Sequence, residues 1–106
     1  MQNWIQRFDE LLKDPPEDSY TILAEAFGIV RENERGERFL NTELLEAQYG
    51  VASSGERTML ACAVSMWSRD FNPSLTAEYP ARISDITTLD TENRYRLYKA
   101  IEATQG

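Results

Sequence analysis

The stretch Ser53–Phe71, SSGERTMLACAVSMWSRDF, constrains the fold of this chain more than any other, because a helix-start signal runs directly into the longest apolar run. Ser53 and Glu56 stand in the Ser-x-x-Glu relation of a capping box, in which each side chain satisfies a backbone N–H left exposed at the helix start. From Met59 to Trp67 almost every residue is apolar or small, and no strongly polar face returns until Ser68, Arg69 and Asp70. A helix with no polar face must be covered by its neighbours. Residues 53–71 are therefore expected to form a central buried helix, with the rest of the chain as its cover.

That cover has to come from a single domain spanning residues 1–106, long enough for one core and too short for two. A hydrophobic share of 42% with 10% aromatics argues against disorder. No run approaches the roughly 18 apolar residues of a membrane span, and the first residues lack the basic-then-apolar layout of a signal peptide. A cytoplasmic protein without membrane attachment is expected. Cys62 is the only cysteine, so it has no intramolecular disulfide partner, and inside the apolar run it reads as a small buried hydrophobe.

Periodicity and punctuation place the other elements in an all-α architecture of five or six short helices around the central one. Trp4, Ile5, Phe8, Leu11 and Leu12 form one stripe of a helix over Gln2–Lys13. Asp14 and Pro15 then offer a new start, with Tyr20, Leu23, Ala24 and Phe27 on one face and Gly28 as the stop. Residues 29–40 fit either a short hairpin or a charged loop, and the loop is favoured because an isolated two-stranded hairpin is marginal. Asn41 caps a helix carrying Leu44, Leu45 and Tyr49, with Gly50 ending it and Val51 packing near the first turns of the central helix. After Asn72-Pro73, residues 74–78 read as a connector, and Pro80 opens a short segment in which Ile83 and Ile86 share a face. Asp90 caps the last helix, whose expected buried stripe is Tyr95, Leu97, Tyr98 and Ile101.

Catalytic residue types are sparse. The chain has no histidine, which removes the commonest general base and the commonest metal ligand. One cysteine and no histidine leave no ligand set for zinc, and no acids are spaced like a calcium loop. The five glycines are too scattered for a phosphate-binding loop. Ser53-Ser54-Gly55 could offer backbone amides to an anion, but Glu56 would occupy the same amides. No cofactor, no metal and no enzymatic activity are expected.

Charge is the feature left to carry function. The formal charge is −7; residues 1–50 hold eleven acids against five bases, and residues 51–106 hold seven against six. Such a field disfavours nucleic-acid backbones and anionic membranes, which need cationic side chains, and suits a basic protein partner. The candidate partner-binding residues are Glu32, Glu34, Arg35, Glu37 and Arg38 in the alternating segment 31–38, Glu43 and Glu46 on the following helix, and Tyr79 as a surface aromatic in a connector. The expected function is a non-catalytic interaction module, an accessory subunit or regulator, present as a monomer or homodimer. The alternative is an inhibitor of phage or mobile-element type that fills the basic groove of a nucleic-acid-binding defence protein.

Overall fold

A computed structural model describes residues 3–69 and 73–104. In chain order the helices are α1 (Asn3–Lys13), α2 (Ile22–Ala26), α3 (Thr42–Val51), α4 (Ser54–Ser68), α5 (Pro73–Glu78), α6 (Ile83–Thr87) and α7 (Thr91–Ala103). A single 3-10 turn at Ser19–Thr21 precedes α2, and one antiparallel pair, β1 (Val30–Glu32) with β2 (Arg38–Leu40), lies between α2 and α3. The domain is thus mostly helical, with a Cα radius of gyration of 12.9 Å.

α4 is the centre. Ser53 Oγ accepts from the Glu56 amide and Glu56 Oε1 accepts from the Ser53 amide, closing the capping box. Met59 to Val64 are all buried, and α4 touches α2, α3, α5, α7 and the 3-10 turn. Ala61, Cys62 and Ala63 leave room for those neighbours to approach closely. The helix ends earlier than expected, at Ser68, because Arg69 takes a left-handed conformation at φ 46° and stops it. That conformation is costly for a residue with a Cβ, and the Arg69 guanidinium sits 4.6 Å over the Tyr20 ring. Phe71, also included in the expected helix, lies outside the described residues.

The expected start of the second helix at Asp14 is not used. Pro15 precedes Pro16, which biases it away from the helical region, and residues 14–18 stay irregular until Asp18 O accepts from the Thr21 amide. The stop at Gly28 is as expected: φ is +72°, Gly28 N donates to Glu25 O and Ile29 N to Ala24 O, the paired bonds of a Schellman motif. Trp4 stacks on Phe27 with centroids 4.4 Å apart, so the first turn of α1 meets the end of α2.

Elsewhere the cover differs in detail from the sequence reading. Asn41 caps α3 through the Leu44 amide, but Gly50 does not end it; the helix continues to Val51, which is carried outward while Ala52 is buried. Residues 74–78 are not a connector, since Pro73 opens a helix there, as proline does at a first helical position. Ile83 is exposed and only Ile86 of that pair reaches the core. Asp90 caps α7 through the Asn93 amide, yet the buried face is Leu97 and Ala100. Tyr95, Tyr98 and Ile101 face outward.

Candidate functional site

The segment 29–40 forms the hairpin, against the favoured loop, because it is not isolated. Ile29 is fully buried, and Val30 and Leu40 pair across the strands while packing on the core. Asn41 N donates to Ile29 O at 2.7 Å and extends the ladder. An ion pair between Arg38 on β2 and Glu25 on α2 ties the outer strand down.

Asn33 builds the tip. Its Oδ1 accepts from the amides of Arg35 and Glu37, both at 2.9 Å, and its own amide donates to Glu37 O. Gly36 closes the turn at φ +79°, a left-handed conformation that glycine adopts at little cost. These local bonds give the tip a defined shape despite full exposure.

Two of the hairpin's three cations are held in place, though only one of them is neutralised. Arg38 is held by Glu25, and Arg31 Nη1 donates to the carbonyl oxygens of Gly28 and Val30, each at 3.0 Å. Arg35 has no side-chain partner among the described residues. Glu32, Glu34 and Glu37 all point to solvent, with Glu37 also accepting from Asn33 Nδ2 at 3.4 Å. The tip therefore presents three carboxylates and one uncommitted guanidinium. Behind it, an open groove of about 630 Å³ is lined by Arg7, Glu25, Arg31, Glu32, Arg38 and Gln48 among others. Charges of both signs meet in that groove, and Arg7 Nε is already bound to Ala26 O at 2.6 Å.

The other candidates separate. Glu43 lies in the first turn of α3, next along the chain from the hairpin, and is exposed. Glu46 stands on another side: its carboxylate and that of Glu78 lie near the Tyr79 hydroxyl, which burial first and these charges second push above its ordinary value. Tyr79 is not a surface residue. It is 6% exposed at the end of α5 and meets Tyr49 edge-to-face at 5.1 Å, because helix 73–78 turns it inward. The large aromatics that do reach the surface among the described residues are Phe39 on β2, Tyr95 and Tyr98, and the two tyrosines escape a reading by hydropathy, which puts them in the core.

At the Ser53–Gly55 corner Glu56 Oε1 takes both the amide and the hydroxyl of Ser53, and Asp85 and Asp90 line the adjoining depression, so three carboxylates stand where an anion would have to sit. Among the described residues no three His, Cys, Asp or Glu side chains come together as a metal ion would need, and no helix is long and apolar enough to cross a membrane. Compared with known proteins, the chain matches no family model, no curated protein and no solved structure.

Proposed function

We propose that this chain is a non-catalytic interaction module that binds a partner protein through the acidic tip of its hairpin, with Glu32, Glu34 and Glu37 as contacts and Glu43 beside them. The observation that supports this most is the unequal placement of the charges: Arg38 is paired with Glu25 and the Arg31 head is drawn back onto the Gly28 and Val30 carbonyls at the hairpin's base, while the segment's three glutamates face water. A locally locked tip also binds with less ordering cost than a flexible loop. Recognition through exposed carboxylates calls for a partner with a basic surface and should weaken as salt screens it. The compartment proposed for this binding is the cytoplasm, where a lone buried thiol such as Cys62 is at home.

The test uses the immobilised full chain and the triple variant Glu32→Lys, Glu34→Lys, Glu37→Lys. A basic protein retained by the native chain, eluted by moderate salt and lost on the variant supports the reading, provided both chains melt alike. Retention that ignores salt, or equal retention by the variant, would count against it. Adding duplex DNA or RNA as competitor then asks whether the partner's nucleic acid and this chain exclude each other, as the groove-filling alternative requires.

A further inference from the structure

α7 buries one face and carries large apolar side chains on the opposite one. At 100° per residue, Arg94, Tyr95, Tyr98, Ile101 and Glu102 fall within an arc of about 120°. Leu97 and Ala100, the buried positions, lie outside that arc. Tyr95, Tyr98 and Ile101 are 60%, 55% and 41% exposed. Single exposed apolar residues need no explanation, but three on successive turns of one helix make a continuous patch. Shallow depressions adjoin it, one between Tyr95 and the Phe8 and Leu12 side of α1, another among Thr91, Arg94, Tyr95 and Tyr98.

The order of residues in the stripe points to its occupant. Counting from Tyr98, the apolar residues stand three positions away on each side, Tyr95 and Ile101, and opposite charges stand four away, Arg94 and Glu102. In an antiparallel helix pair with a two-fold axis at Tyr98, each residue lies level with its mirror position in the other copy. Tyr98 then meets Tyr98 once on the axis, while Tyr95 lies level with Ile101 of the second copy and Arg94 level with Glu102 of the second copy, these two relations each occurring twice. A parallel pair would instead set Arg94 beside Arg94 and Glu102 beside Glu102. The charges are available: Arg94 has no ion pair among the described residues, and Glu102 accepts only from Lys99 Nζ, at 3.5 Å, which leaves carboxylate capacity for a second donor. Lys99 Nζ lies 5.4 Å from the centre of the Tyr95 ring and helps to hold that ring in place.

We propose that the outward face of α7 is a self-association surface, on which a second copy of this chain docks antiparallel about a two-fold axis at Tyr98. The proposal shares no residue with the acidic hairpin and stands apart from the function assigned there. One helix stripe is small beside the ~1,200 Å² at the lower edge of standard interfaces, so the dimer is weak and forms with concentration.

Sedimentation equilibrium on the full chain from about 1 μM to about 1 mM, the range in which such contacts are populated, tests this. The expected mass rises from the 12.2 kDa of one chain toward twice that value. Tyr98→Lys should hold the mass at one chain without lowering the melting temperature. Arg94→Glu and Glu102→Arg should each weaken association about tenfold by breaking both symmetric pairs, and the two together should restore it. A chain that stays single at the highest concentration, a dimer indifferent to Tyr98→Lys, or a double variant no better than the singles would overturn the proposal. So would a single chain whose capture of the hairpin's partner is abolished by Tyr98→Lys, since the stripe would then belong to that partner.

Discussion

Cys62 illustrates how a residue's chemistry follows from its neighbours. Buried in the apolar run of α4, its thiol is pushed by desolvation up to about 11 from an ordinary 9.0. The folded chain therefore prefers the protonated thiol, so this contribution to stability is intact below pH 9 and is lost as pH climbs through about 11. A rise of that size corresponds to about 2–3 kcal/mol at full effect. Tyr79 is raised in the same direction and adds to the loss on the alkaline side. Urea midpoints measured from pH 8 to pH 11 should fall, and Cys62→Ala should flatten part of that fall; an unchanged slope would remove Cys62 as its source. The two tyrosines Tyr79 and Tyr98 make a second residue-scale contrast. Tyr79→Ala, which empties a buried site against Tyr49, should cost about 3 kcal/mol, whereas Tyr98→Ala should stay within about 0.5 kcal/mol in a dilute monomer. Equal losses by chemical denaturation would contradict the burial of one and the exposure of the other.

At the level of elements, the caps are legible in the sequence and the stops only in part. Asn41, Ser53 and Asp90 start helices as their side chains dictate, since a cap needs only residues within one turn. Gly50, unlike Gly28, does not stop its helix, because its backbone stays helical and nothing approaches the position of a Cβ. Gly50→Ala should therefore raise stability by about 0.4–1 kcal/mol, read as a higher urea midpoint at unchanged slope. The hairpin is hidden for a related reason: its strands are weak alone, and its support comes from Glu25, Ile29 and the core under Val30 and Leu40. Asn33→Ala removes the acceptor of two tip amides and should cost about 1 kcal/mol or more locally. Faster amide exchange at Arg35 and Glu37 with little change in global melting is the expected result.

Across the whole molecule, the two ends of the chain are joined at Trp4. Its ring stacks on Phe27, tilts against Phe8 at 6.5 Å and has the Arg96 guanidinium 5.8 Å from its centre. The first two helices and the distant α7 thus share one aromatic anchor. Trp4→Ala should cost about 3–5 kcal/mol, a large part of the 5–15 kcal/mol that holds a typical domain, and should lower the thermal midpoint as a single cooperative transition. Trp4→Phe should recover much of this, because the buried indole N–H makes no hydrogen bond among the described residues and little is lost with it. A melt that splits into two steps on Trp4→Ala would argue against a single core.

What the sequence determined by itself was whatever acts within a turn or two: the capping box, the helical class, the central helix with its buried thiol, and an acidic first half. What only the tertiary structure decided was which face of each cover helix looks inward. On α7 the larger side chains Tyr95, Tyr98 and Ile101 look like the core stripe by hydropathy. Yet α7 lies against the Ala-Cys-Ala helix and the Trp4 anchor, and Leu97 with Ala100 form the face it buries there. Hydropathy ranks side chains singly, whereas packing selects the face whose shape matches its neighbour. The same rule turned Tyr79 inward. It also left the hairpin's glutamates, once two arginines were claimed by α2 and the backbone, facing water at the tip.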